Sequence, residues 1–199
     1  MKKQETKPTK KSRIKELITK KRISYNLDHP FNRAEGLYDL IKDYVGPTSV
    51  VVDIGAGEGT STELFALHAK EVYAIDPWEK AVRPNAQFEL DHAKESRQIF
   101  EKMAKGYKNI KTIKKHSLDA VTDFEPESID LIYIDGCHEE ILKDIKGWFS
   151  RVKIGGVITG HDYIVNIKHR INRSLKVPDS VYKDSSWAIV KTKDLVPKK

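Results

Sequence analysis

The chain has 199 residues, 39% hydrophobic and 33% charged, which suits one domain with a real core, and no apolar run reaches the roughly eighteen residues of a membrane span. Its formal net charge of +7 gathers at the ends: residues 1–22 hold ten Lys or Arg against two Glu, and residues 191–199 hold four Lys against one Asp. Cys137 is the single cysteine, which excludes an internal disulfide and suits a reducing compartment; with no apolar h-region behind the basic start, a cytoplasmic location is expected.

Residues 1–25 read as a basic, partly disordered extension, with a short, loosely held helix over residues 12–22, and residues 26–199 read as the folded domain. Within it, residues 32–46 place Leu37, Leu40, Ile41 and Tyr44 at helical spacing and stop on Gly46-Pro47. Val50–Ile54 is an apolar strand running into the glycines of "GAGEGT", with a helix from about Ser61. Val72–Ile75 is the next strand and ends on Asp76. Residues 78–92 are polar and match no pattern; "AKESRQIFEKMAKGY" after them is a helix.

Lys111–Lys115 reads as a strand that turns into a short helix. "SIDLIYID" is a strand, "EEILKDIKGWFSRV" a helix, "GGVITGHDY" a strand and "NIKHRINRSL" a helix. "SSWAIVKT" alternates and suits an antiparallel edge strand at the end. Strands alternating with helices, the central ones apolar throughout, predict an α/β fold: a doubly wound, mostly parallel, Rossmann-like sheet with an antiparallel last strand. Ligands in such sheets bind beyond the carboxyl ends of the strands. Asp53, Asp76, Asp135, His161 and Asp162 all fall at those ends, so they are expected along one edge.

"DIGAGEGTST" follows a strand and opens a helix, the context a nucleotide-type loop requires. Gly55, Gly57 and Gly59 let a ligand approach the backbone, and the helix N-terminus beyond offers free N–H groups. Thr60 stands where a dinucleotide loop has its last glycine, and no Lys-Ser/Thr pair follows, so neither the NAD fingerprint nor a phosphate-binding P-loop is matched. Asp76 lies where an acid accepts both hydroxyls of a ribose. Trp78, two residues on, offers its ring either to an adenine or to the core.

"VVDIGAGEGTST" together with "VYAIDPW" resembles the cofactor-binding half of the class I S-adenosylmethionine-dependent methyltransferases. The later "SIDLIYIDGCHEE" and "GGVITGHDY" resemble a small bacterial branch with an I-D-G-x-H segment and a G-H-D-Y segment. That branch is related to macrolide-sugar O-methyltransferases and cephalosporin-hydroxylase-like proteins. The resemblance covers roughly residues 32–191. It implies that Gly55, Gly57 and Gly59, with Asp53 and Glu58 of the same loop, surround the amino-acid part of S-adenosylmethionine. It further implies that Asp76 holds the ribose, that Ser117 and Leu118 border the adenine, and that Asp135 faces the sulfonium.

In the metal-dependent relatives, an acid at the position of Asp135 and two adjacent acids at 161 and 162 hold a divalent cation. Asp135 and Asp162 match; His161 departs from the pattern, and imidazole suits a softer ion than Mg. Two alternatives stay open: a cation on Asp135, His161 and Asp162, or no cation, with His138 or His161 as general base. The reading is therefore an S-adenosylmethionine-dependent methyltransferase acting on an oxygen of a small molecule or sugar. An RNA or protein methyltransferase using the basic termini, or a non-methylating relative, is the alternative. Nucleic acid has no motif in its favour, no membrane partner is expected, and the last strand or the N-terminal helix offers a surface for a homodimer.

Overall fold

The computed structural model describes residues 8–19, 34–79 and 86–198. Seven strands among them form one sheet: β1 (Val50–Ile54), β2 (Glu71–Ile75), β3 (Ile110–Ile113), β4 (Ile129–Ile134), β5 (Val152–Gly160), β6 (Ser180–Val181) and β7 (Trp187–Val190). Their order is β3-β2-β1-β4-β5-β7-β6, parallel except where β7 runs against both β5 and β6. The helices are α1 (Lys10–Thr19), α2 (Glu35–Tyr44), α3 (Thr60–Ala66), α4 (Ala86–Ala104), α5 (Ser117–Ala120), α6 (Ile141–Trp148) and α7 (Val165–Ser174).

The central strands are buried on both faces, which is why they read as unbroken apolar runs rather than alternating ones. Side chains still alternate in direction. Val51, Leu131 and Tyr133 point into the layer made by Leu37, Leu40 and Ile41 of α2 and by Leu64 and Phe65 of α3. Val52, Ile54, Ile132 and Ile134 point to the opposite layer, against Ile145 and Trp148 of α6 and Ile167 and Ile171 of α7. The chain leaves β1 toward β2 on one side, and β4 lies on the other. That reversal opens a crevice at the carboxyl ends of β1 and β4, the switch point where ligands of doubly wound sheets sit.

Three expectations are corrected here. β7 is not an edge strand: the two-residue β6 pairs outside it, Ser180 with Ala188 and Val181 with Trp187, and is too short to be visible as a pattern. The polar stretch that matched nothing contains the start of α4, which begins at Ala86. Residues 80–85, before it, lie outside the described residues. The helix predicted over residues 12–22 forms as α1 from Lys10 to Thr19, residues 20–22 lying outside the described residues, and it is well anchored rather than loosely held. Leu17 is buried against α2 and α3, and the Arg13 guanidinium grips the buried Glu63 of α3 with two bonds of 2.7 and 2.6 Å.

Candidate active site

The glycine loop leaves β1 through a backbone built for close approach. Gly55, Gly57 and Gly59 all have positive φ. A Cβ on Gly55 would lie 2.4 Å from the Asp135 carbonyl oxygen, so only glycine lets β1 and β4 end side by side, tied by the Asp135 N–H to Ile54 carbonyl bond of 2.9 Å. Gly57 is the opposite case: a Cβ there would meet nothing nearer than 3.9 Å. Its outer side is open space, which is where a ligand can rest on the backbone.

Asp76 organises this loop. One carboxylate oxygen accepts the Gly57 N–H at 3.0 Å and the other accepts the Trp78 N–H at 2.6 Å. Burial pushes its pKa up, and those two N–H bonds work in the opposite direction. Trp78, at φ 45°, turns its indole back and donates from Nε1 to the Gly57 carbonyl at 2.9 Å. Its ring is 7% exposed and packs on Phe100, with centroids 4.8 Å apart. Trp78 therefore lies beneath the loop as a support, and the sequence's alternative of an aromatic face presented to adenine is set aside.

Asp53 is likewise behind the loop. It is fully buried and accepts the Ser61 and Thr62 hydroxyls at 2.9 and 2.5 Å, locking the first turn of α3 to the end of β1. Glu58, half-buried, belongs to the same loop. The short hydroxyls of Ser61 and Thr62, eight and nine residues after Asp53, are the signal that could have revealed this.

At the far end of the crevice, past β3, Ser117 opens α5 and Leu118 is 39% exposed. The Ser117 hydroxyl accepts the Trp148 Nε1–H at 2.9 Å and bonds the carboxyl of Asp144. Asp144 was not singled out from the sequence, although an acid within the buried stripe Ile141, Asp144, Ile145, Trp148 of α6 is a visible anomaly. It is 2% exposed and its Oδ1 has no hydrogen-bond partner among the described residues, so burial raises its pKa to about 6 despite the Ser117 bond. The folded state therefore binds a proton that the unfolded chain releases near pH 4. Stability is expected to fall as pH rises from about 4 to 6 and then level off, by up to about 3 kcal/mol from this group. Denaturant melts of wild type and Asp144→Asn across pH 4–8 check this; the variant should lack that part of the slope.

The reacting end is built by β4 and β5. Asp135 directly follows β4, and its loop carries His138; His161 and Asp162 follow β5. Asp162 adopts φ 58°, a conformation that a non-glycine residue holds only when its surroundings enforce it. Here the enforcement is visible: Asp162 Oδ2 meets His138 Nε2 at 2.7 Å, and Oδ1 meets His161 Nδ1 at 2.8 Å. His161, 8% exposed, also stands 4.0 Å from Asp135 Oδ1. Burial pushes the Asp162 carboxyl up, but the two imidazoles outweigh it and hold it well below the usual carboxylate range. Asp162 in turn raises the pKa of His138. One ligand atom from each of Asp135, His161 and Asp162 can be chosen so that all lie within 4.8 Å of one another. A narrow recess lined by Asp135, His138, Ile141 and His161 opens beside them. Tyr163, next along, instead donates its hydroxyl to Asn172 of α7.

A glycine loop and an acid-ended second strand at the switch point of this sheet define a Rossmann-like methyltransferase fold. The sequence matches the family model described as a methyltransferase domain over residues 52–163, and the chain belongs to that family. It is accordingly an S-adenosylmethionine-dependent methyltransferase. No curated protein matches it in sequence. Among solved structures it is similar to a ribosomal protein L11 methylase from Lactobacillus delbrueckii subsp. bulgaricus, at 23% identity and TM-score 0.57, covering 78% of this chain and 77% of that one. An rRNA methylase from Streptococcus thermophilus aligns at 18% identity and TM-score 0.55, covering 84% and 99%. A Streptococcus mutans protein in complex with SAH aligns at 16% identity and TM-score 0.54, covering 81% and 96%. At these identities the likeness is one of fold. Among the described residues, no helix is long and apolar enough to cross a membrane.

Proposed function

We propose that the chain transfers a methyl group from S-adenosylmethionine to an oxygen of a small molecule or sugar, in the manner of the bacterial branch with I-D-G-x-H and G-H-D-Y segments. The observation that carries this reading is the His138–Asp162–His161 chain of short polar contacts at the carboxyl ends of β4 and β5, next to the glycine loop. The open side of Gly57 and the rigidly held carboxylate of Asp76 fit the cofactor's amino-acid and ribose parts. S-adenosylmethionine supplies a methyl group already activated on a sulfonium, so the protein's work is alignment and proton removal.

His138 is the base in this reading. Its raised pKa favours the protonated ring, and Asp162 across 2.7 Å stabilises the imidazolium formed when it takes the acceptor's hydroxyl proton. Asp135, His161 and Asp162 would hold a divalent cation, which lowers the pKa of a bound hydroxyl. One imidazole and two carboxylates suit a first-row transition ion better than Mg. Of the basic N-terminus, Arg13 is engaged with Glu63 and Glu16 and so is not available to an RNA acceptor.

The test is Gly57→Ala. A methyl there fills the open side of the loop yet strikes nothing in the protein, and its left-handed backbone costs roughly 1–2 kcal/mol. Calorimetric titration with S-adenosylhomocysteine is expected to show at least about a hundredfold weaker binding, with a melting temperature lowered by no more than several degrees. Affinity equal to wild type would remove the cofactor from this loop.

A further inference from the structure

We propose that Arg170 is a positioning residue for the reacting end: from α7 it holds the backbone of the loop after β4 so that the His138 ring meets Asp162. Within the loop, the Glu140 N–H bonds the Cys137 carbonyl at 3.0 Å, and that turn fixes neither the carbonyl nor the ring of His138. Gly136 gives it freedom, Cys137 is exposed, and the His138 side chain is itself 52% exposed. A half-exposed imidazole on such a loop has several rotamers open to it, and one hydrogen bond at Nε2 does not select among backbone positions.

The second anchor comes from Arg170, whose Nη1 donates to the His138 carbonyl oxygen at 2.9 Å. Arg170 projects from a firm element, since Ile167 and Ile171 of α7 and Leu175 just after it are all buried in the core. Asp162 and Arg170 are eight residues apart in one continuous segment, β5 to α7. The ring and the carbonyl of His138 are thus pinned from one continuous segment of chain. Rotation of the loop must break the Arg170 bond, and rotation of the ring must break the Asp162 bond. A guanidinium suits this task because it stays charged at every relevant pH and its donors are fixed in a plane. Among the described residues no carboxylate pairs with Arg170, so the His138 carbonyl is the contact that explains its placement.

This inference rests on the reading that His138 and Asp162 act at the reacting end. The experiment compares wild type with Arg170→Met, which keeps the length and removes every donor, and Arg170→Lys, which restores one. Three quantities are read at a single pH: amide hydrogen exchange of residues 136–140, the ring nitrogen NMR shifts of His138, and calorimetric affinity for S-adenosylhomocysteine. In Arg170→Met the loop amides should exchange at least about tenfold faster and the His138 ring should lose its carboxylate-bound signature. The S-adenosylhomocysteine affinity should stay within about twofold, because the glycine loop is untouched. Lysine should recover part of both losses, which a general loosening of the fold would not show. If Arg170→Met does not fold, Arg170→Leu carries the same comparison. A folded donor-free variant whose loop exchange and His138 ring match wild type overturns the inference. Wild-type protein that fails to bind S-adenosylhomocysteine overturns instead the functional reading on which it rests.

Discussion

Asp76→Ala is expected to weaken S-adenosylhomocysteine binding by at least about a hundredfold, a loss on the scale of Gly57→Ala. The carboxylate carries several roles at once. It receives the Gly57 N–H and the Trp78 N–H, which sets the path of the glycine loop and the turn into Trp78. In the proposed function its remaining lone pairs accept the ribose hydroxyls. A hydrogen bond to a charged group is worth about 1.5–3 kcal/mol, and each tenfold in affinity is about 1.4 kcal/mol, so losing two such bonds to ligand reaches the predicted range. Asp76→Asn keeps one carbonyl acceptor and should fall between the two. Calorimetry gives the affinity, and a thermal melt separates lost binding from lost structure. Alanine at wild-type affinity would mean that the ribose is held elsewhere.

Arg13→Met should destabilise the fold by about 3–5 kcal/mol, the usual result of stripping the partner from a buried charge. Glu63 is 4% exposed, and Arg13 meets it with a bidentate pair while the Tyr107 hydroxyl donates to Oε1. Removing the guanidinium leaves a buried carboxylate with that tyrosine contact as its remaining support among the bonds described. The expected fall in melting temperature is roughly 10 °C for a chain of this size. Arg13→Met combined with Glu63→Gln should recover a large part of the loss, since the unpaired charge is then gone. Denaturation of the two single variants and the double variant checks this. An effect below about 1 kcal/mol would show that α1 is not bound to α3 in solution. The pair also bears on cofactor binding, because α3 begins at the end of the glycine loop. Loosening its first turn should lower S-adenosylhomocysteine affinity as well as stability.

Much of this architecture is legible locally. β-branched runs such as Val50–Ile54 and Ile129–Ile134 have no other stable use than as strands buried on both faces. The glycines that follow β1 declare a loop that must bend through left-handed conformations. The acids and imidazoles at the carboxyl ends of those strands, Asp76, Asp135, His161 and Asp162, converge because parallel strands all deliver their ends to the same edge. Sequence periodicity carries that geometry, so the shared edge to which these residues are delivered could be named without coordinates. The strand β6 could not: two residues carry no period, and it exists because β7 offers an unpaired edge.

What the sequence by itself determined was a mostly parallel sheet and the residue types at the carboxyl ends of its strands, since each follows from local pattern; the strand order, and with it the switch point, came from the folded chain. Which of those residues face the crevice and which stand behind it was decided only in three dimensions. Trp78 lies under the loop because its indole N–H finds the Gly57 carbonyl and its ring finds Phe100. Asp53 is buried because Ser61 and Thr62 satisfy it, and Asp144 is buried with one carboxylate oxygen lacking a hydrogen-bond partner among the described residues. Arg13 with Glu63, and Arg170 with His138, join segments 50 and 32 residues apart. No local rule relates such positions; burial makes each polar group seek a partner, and only the folded chain determines which partner lies within reach.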